Sequence, residues 1–224
     1  MLPIGDDNRG RRIVPWVTYG LVAINVVVFL VEILQPYPDD FIIRWGAIPA
    51  EIMAGRNWIT LITSMFLHGG WAHLLGNMVF LWIFGDNVED ALGHILYLVF
   101  YFVCGIAASL AQVFLTPTAA IPGVGASGAI SGVLAAYILM FRSNRVRVLV
   151  GYFVTTVPAW VMIGLWIVLQ FVSGYASLAE AQTGGVAYGA HIGGFLAGLV
   201  LALPLRAIAG RSQNYLPPQG GYYG

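Results

Sequence analysis

Lysine is absent from this chain of 224 residues, and charged residues of every kind make up only 9% of it. A soluble domain carries roughly 25% charged residues, so a water-facing globule is excluded as the destination of the fold. Ten arginines balance ten acidic residues to a net charge of zero, with no basic cluster. That removes the electrostatic footprint on which nucleic-acid binding depends. Cysteine is nearly absent as well: Cys104 is alone, which excludes an internal disulfide and a cysteine-based zinc cluster. No Asp or Glu lies near the centre of any long apolar stretch, and an aspartyl mechanism needs two facing carboxylates. A histidine-held zinc is weakly supported, because there is no HExxH and His68 and His73, five residues apart, diverge on a helix. Neither metal nor organic cofactor is expected, and no nucleic-acid partner.

What the chain has instead is apolar length, at 59% hydrophobic residues. A charge at a bilayer centre costs about 2.5–3.5 kcal/mol, so charge-free windows measure the spans. Five occur: 13–31, 57–85, 91–141, 148–179 and 181–205. A spanning helix takes about 20 residues, so the third window holds two helices, with a turn at Thr116-Pro117-Thr118 and Ile121-Pro122-Gly123. The expected fold is an all-α membrane protein of six transmembrane helices near 14–34, 71–87, 94–115, 127–141, 149–173 and 185–206, the fourth one short. An even count puts both termini on one side. Eight arginines (9, 11, 12, 142, 145, 147, 206 and 211) fall there against Arg44 and Arg56 on the other, which makes that side cytoplasmic by the positive-inside rule. Composition and an all-arginine basic set fit a prokaryotic plasma membrane.

Residues 1–13 then form a cytoplasmic tail, 14–206 the helical core, and 207–224 a disordered cytoplasmic tail too poor in apolar residues to pack. Arginines before the first apolar stretch resemble a secretory signal, but no small-residue cleavage site follows, so the stretch is read as a retained helix. The connection 35–66 carries Phe41, Ile42, Ile43, Trp45, Ile48 and Ile52. It is too apolar for a solvated loop and is expected in the outer membrane interface.

Ionisable residues inside a membrane are functional candidates because their burial is costly. Away from helix ends these are His73 and His191, joined by the polar Asn77, Ser127, Ser131 and Gln170. Ser127 lies in Gly-Ala-Ser-Gly at the start of an apolar helix. It is either an N-cap, satisfying an orphan backbone donor, or a nucleophile whose oxyanion is held by N–H groups at the positive helix end. His191 lies about 10 Å below the outer end of the last helix, at 1.5 Å per residue, and needs a partner from another helix or water. Gly128 and Gly132, Gly189 and Gly193, and Gly194 and Gly198 are spaced by four. Such ladders let helix backbones approach closely, here flanking the serine and the histidine. His73 and Asn77 share one helix face and are either interhelical glue or oxyanion donors. Asp86, Glu89 and Asp90, at the cytoplasmic end of the second helix, are expected as solvated or loop-capping charges.

Three motifs in order, His68 to Asn77 (HxxxxHxxxN), Gly125 to Gly128 (GxSG) and Ala190-His191 with Gly193-Gly194 (AHxGG), make the chain resemble the rhomboid intramembrane serine proteases. The resemblance covers residues 14–206. It implies Ser127 as nucleophile and His191 as general base in a dyad with no acid orienting the histidine. It also implies an oxyanion hole from the Ser127 backbone N–H, His73 and Asn77. His68 and Glu89, with Gly125, Gly128, Gly132, Gly189, Gly193 and Gly194, match positions of structural support, and 35–66 matches a membrane-embedded first loop. The implied partners are the lipid bilayer and single-span membrane proteins, cut within or beside their transmembrane segments near the outer face. Two departures stand out: Trp58-Ile59-Thr60 replaces an adjacent Trp-Arg pair, with Arg56 nearby, and Ser131 stands where some relatives carry a tyrosine that stacks on the histidine. A small transporter or a helix-binding relative that does not cut is the rival class. A transporter's paired broken helices are not seen, and a binding-only relative would tolerate loss of Ser127 or His191, both of which are present.

Overall fold

The computed structural model describes residues 2–8, 11–177 and 187–213. Arg9, the first residues of the sixth expected helix and the tail 214–224 lie outside the described residues. Among the described residues, six longer helices alternate in direction: α1 (Trp16–Ile33), α5 (Trp71–Leu92), α6 (His94–Leu115), α7 (Ser127–Met140), α8 (Ala159–Ser177) and α9 (Tyr188–Gln213). Between α1 and α5 lie three short helices, α2 (Pro38–Trp45), α3 (Pro49–Met53) and α4 (Thr60–Thr63), followed by a 3-10 turn over Ser64–Phe66. Trp16–Ile33, His94–Leu115 and Tyr188–Ala207 are long and apolar enough to cross a membrane, and Ser127–Met140 and Ala159–Val172 are shorter apolar helices. The outward faces stay apolar, as at Val103, Val168, Phe171, Leu196 and Val200, which suits lipid as the solvent.

The molecule is not all-α. A three-stranded antiparallel sheet, in the order β1 (Leu2–Gly5), β2 (Arg145–Val150), β3 (Phe153–Pro158), closes the end of the bundle where α7 stops and α8 begins. The expected helix at 149–173 therefore starts only at Ala159, and the supposed N-terminal tail contributes a strand. Arg-Val-Arg-Val alternates with period two, burying Val146 and Val148 completely while Arg145 and Arg147 face out, a strand pattern rather than a helical one. Residues 207–213, expected as tail, continue α9.

At this sheet end the acidic residues are not solvated. Glu89 is fully buried: its carboxylate accepts the N–H groups of Val17 (2.9 Å) and Thr18 (2.7 Å), the Thr18 hydroxyl (2.7 Å), and faces His94 Nδ1 at 2.5 Å. It thus caps the positive end of α1 from another helix. Asp90 accepts from Arg12 and Ile13 N–H, and Asp86 pairs with Arg11 at 2.7 Å. These bonds explain why α5 runs on to Leu92 through three acids, where the expected end was 87.

Asp6, just after β1, accepts from the Tyr137 hydroxyl (2.7 Å) and Asn87 Nδ2 (2.6 Å), tying the N-terminal segment to α7 and α5. Burial pushes the Asp6 carboxyl up to about 6, with the Asp86 charge adding to the effect and the Tyr137 bond opposing it. Because the folded form holds this proton more tightly than the unfolded chain, its contribution to stability is full below about 4 and is lost as pH rises through about 6. Asp6→Asn is therefore expected to gain on the wild type in melting temperature between pH 5 and pH 7.5. Thermal scans of the two proteins across that range check it, and parallel curves would refute it.

Candidate active site

At the other end of the bundle the glycine ladders set the geometry. A Cβ on Gly194 would overlap the Gly128 carbonyl oxygen, and one on Gly198 would come within 2.5 Å of Gly132, so α9 lies backbone to backbone on α7. On the other flank, Cβ atoms at Gly128 and Gly132 would lie 2.5 Å from Ala108 and Cys104 of α6. Gly189 and Gly193 face α6 as well, at Gln112 and Ala111. The three ladders wedge α7 and α9 against α6 and leave no room for register error.

That packing brings Ser127 and His191 together. Ser127 is the first residue of α7 and makes no capping bond; the N-cap position is Ala126. Its hydroxyl lies 2.7 Å from His191 Nε2 instead. The other ring nitrogen, Nδ1, lies 2.6 Å from Gln170 Oε1 on α8. Facing a carbonyl oxygen, Nδ1 must carry the proton, which leaves Nε2 of a neutral ring as a bare acceptor aimed at the Ser127 hydroxyl.

His73 and Asn77 stand across from this pair on α5. His73 Nδ1 faces the Gly69 N–H at 3.4 Å, which places the ring proton on Nε2. Asn77 is 7% exposed, and its amide Nδ2 is buried without a hydrogen-bond partner among the described residues. Between them and Ser127 passes Gly125, whose φ of +120° suits glycine and whose missing Cβ would sit 2.7 Å from His73 Nε2 and 3.6 Å from Asn77 Nδ2. A side chain there would fill the space toward which both donors point. An unsatisfied buried amide costs about 1–3 kcal/mol, so this end of the molecule keeps a donor in reserve.

The loop before Ser127 is held from outside by the 35–66 segment. Gly125 N–H donates to Ser64 O (2.9 Å), Ala47 and Gly123 exchange two backbone bonds (3.0 and 2.8 Å), and Ala50 N–H donates to Ala119 O (3.1 Å). Ala47, Ile52 and Leu61 bury against Val113 of α6, whereas α2 buries nothing and presents Ile43 outward. In this loop Arg44 lies over the Trp45 ring at 5.4 Å, so an arginine–tryptophan contact exists without Arg56. His68 is fully buried with both ring nitrogens unpartnered, edge-on to Phe29 and to His73, and its backbone N–H donates to Glu32 Oε2 (3.1 Å).

A cavity of about 790 Å³ opens over Ser127, His191, His73 and Asn77. Trp166 and Gln170 of α8 and Tyr188 of α9 also line it. The Trp166 ring lies 5.7 Å from that of His191 at an interplanar angle of 38°, and Tyr188 meets it edge-on at 6.3 Å. Ser131 makes no ring contact: it is fully buried and donates to the Ser127 carbonyl (2.6 Å). The aromatic neighbours of the histidine thus come from α8 and α9. The spacing of Trp166 and Gln170, one turn apart on an apolar helix, was the available signal for them.

A family model described as "Rhomboid domain" matches residues 55–208. Among curated proteins the chain is similar to Rhomboid protease GluP of Bacillus subtilis (strain 168), 33% identical over 199 residues, covering 88% of this chain and 37% of that protein. It is also similar to Rhomboid protein 1, mitochondrial, of Saccharomyces cerevisiae, 29% identical over 211 residues, 92% of this chain and 58% of that one. A shorter relative, Putative rhomboid protease YdcA of Bacillus subtilis (strain 168), is 31% identical over 140 residues, 60% of this chain and 68% of its own length. The chain spans about 40–60% of the length of the first two. With the matched model covering well over half of its residues, and with GxSG, AHxGG and HxxxxHxxxN converging on one cavity, the chain belongs to the rhomboid family.

Proposed function

We propose that this integral membrane protein is an intramembrane serine endopeptidase that cuts single-span membrane proteins within or beside their transmembrane segments, near the outer face. The observation that carries the reading is the 2.7 Å approach of the Ser127 hydroxyl to His191 Nε2, beside a buried and unpartnered Asn77 amide. All six longer helices span, the termini and the sheet are cytoplasmic, and the arginine asymmetry supports that orientation. The charge-neutral composition and the all-arginine basic set fit a prokaryotic plasma membrane.

His191 Nε2 takes the Ser127 proton as Oγ attacks the substrate carbonyl carbon. The charge that develops on the carbonyl oxygen is met by the Ser127 backbone N–H, His73 Nε2–H and Asn77 Nδ2–H. His191 then returns the proton to the leaving amine. Water, activated by the same base, hydrolyses the acyl-enzyme ester. A substrate helix hides its carbonyls in i→i−4 bonds, so it must open locally. Substrates with Gly, Ala, Ser or Pro near the outer end of the span are expected to be cut faster than a uniform leucine helix.

Reconstitution in lipid with such a single-span substrate tests the proposal: wild type yields a cleaved fragment, and Ser127→Ala, with unchanged melting temperature, yields none. Equal cleavage by both would remove Ser127 from the chemistry. Cleavage by neither, with the protein folded and several substrates tried, would favour a binding-only relative.

Gln170 positions His191 in this scheme. A hydrogen bond of this kind is worth about 0.5–1.5 kcal/mol, so Gln170→Leu should lower kcat about 3- to 10-fold and leave KM unchanged. Gln170→Glu, which keeps an acceptor at Nδ1, should recover most of the loss. A change confined to KM would assign Gln170 to substrate contact instead.

A further inference from the structure

Charge at the sheet end does not balance locally. Its carboxylates are committed: Asp86 to Arg11, Asp90 to the N–H groups of Arg12 and Ile13, Glu89 to the first turn of α1 and His94, and Asp6 to Tyr137 and Asn87. Asp7, whose backbone carbonyl accepts from Asn144 Nδ2 (3.3 Å), is engaged as well. Arg145 donates to the Thr156 carbonyl (3.0 Å). Arg142, just past the end of α7, and Arg206, on the last turns of α9, make no hydrogen bond or ion pair among the described residues. Sixty-four residues apart in sequence, they meet at one cavity of about 300 Å³, whose other lining residues are Ile138, Leu139 and Trp160. No carboxylate lines it among the described residues.

We infer that this cavity, between the ends of α7, α8 and α9, is a binding site for the phosphate of an anionic membrane phospholipid. Two guanidinium groups supply planar N–H donors for phosphate oxygens, and no carboxylate among the described residues pairs with either of them. Trp160, 58% exposed at the start of α8, lies where an amphipathic indole sits at a membrane surface. Ile138 and Leu139 give an apolar wall, and one turn before Arg206 the exposed Leu203 continues toward Val200 along the lipid-facing side of α9. A phosphate held by the arginines would leave its acyl chains along that side. The absence of a carboxylate selects the headgroup. Phosphatidylcholine and phosphatidylethanolamine bring an ammonium that this cavity cannot pair, whereas phosphatidylglycerol brings none. Basic pockets between helices on the cytoplasmic side take anionic headgroups for the same reason. The site lies at the far end of α7 and α9 from Ser127 and His191 and is independent of the proteolytic reading.

Native mass spectrometry of the detergent-solubilised protein, titrated with phosphatidylglycerol or phosphatidylcholine, tests it. Wild type is expected to bind phosphatidylglycerol on the order of tenfold more tightly. Arg142→Gln with Arg206→Gln should erase the preference, while Arg44→Gln with Arg56→Gln, the same charge change at the opposite end, should keep it. Equal affinity of wild type for the two lipids, or an unchanged preference in the Arg142/Arg206 double variant, overturns the proposal. Displacement of the lipid by inorganic phosphate alone at millimolar concentration overturns it in favour of a free-anion site. A second readout needs no arginine change: phosphatidylglycerol with brominated acyl chains should quench a fraction of the tryptophan emission that Trp160→Phe removes. Identical quenching in the two proteins would also overturn it.

Discussion

Gly194→Ala is expected to inactivate the protein and to lower its melting temperature. The added methyl would overlap the Gly128 carbonyl oxygen, with Ala108 Cβ 3.2 Å away on the other side. Backbone cannot rotate aside as a side chain can, so α9 must lift off α7. Overpacking of this kind costs about 1–3 kcal/mol, or roughly 2–4 °C per kcal/mol in a protein of this size. The catalytic consequence is larger. Ser127 belongs to α7 and His191 to α9, and their 2.7 Å contact depends on the close approach of the two helices at these glycines. A displacement of about 1 Å at a reacting pair costs on the order of 10²-fold in rate. Gly164→Ala on α8, where a Cβ meets nothing within 4 Å, should leave both quantities unchanged. Turnover and thermal scans of the two variants decide the matter, and a fully active Gly194→Ala would show that the close approach does not align the dyad.

Asn77→Ala should reduce kcat by about 10²–10³, with KM nearly unchanged, because one oxyanion donor contributes about 2.7–4 kcal/mol in the transition state alone. Its effect on stability should run the other way. The Asn77 Nδ2 donor is buried and unpartnered, so removing it relieves a desolvation penalty, and the melting temperature should hold or rise. The opposed signs distinguish this role from interhelical glue, whose loss would lower stability and spare turnover. A kcat within about threefold of wild type would return Asn77 to a packing role.

Much of this architecture is written locally. The charge-free windows place α1, α6 and α7 to within about two residues, because an apolar run and its Pro or Gly ends are properties of the run itself. The glycine ladders carry the α7–α9 contact in their four-residue spacing, and the motifs carry the residues of the cavity. What the windows hide is set by partners far away in sequence. Val148 to Pro158 is charge-free and reads as the start of a helix, yet it forms most of a hairpin, because β1 supplies a strand from the other end of the chain. Glu89 reads as a solvated or loop-capping charge until α1 presents its first-turn N–H groups to it. Glu32 is similar: it stands at a helix end in sequence, but is buried and accepts the His68 N–H in the fold. Gln170 reads only as a polar residue in an apolar helix, since its partner is 21 residues on and across a helix boundary.

The pairing of β1 with β2 also fixes an order of events during synthesis. Leu2 pairs with Leu149 and Pro3 with Val148, so during synthesis β1 waits for about 145 further residues before it has a neighbour. At about 5–20 residues per second that delay is roughly 7–30 s. The Glu89 cap on α1 arrives at an intermediate time, some 70 residues after the first turn that it caps. β1 is therefore made well before it is fastened, and a bulky insertion directly ahead of Leu2 would interfere with the closing of the sheet rather than with insertion of α1.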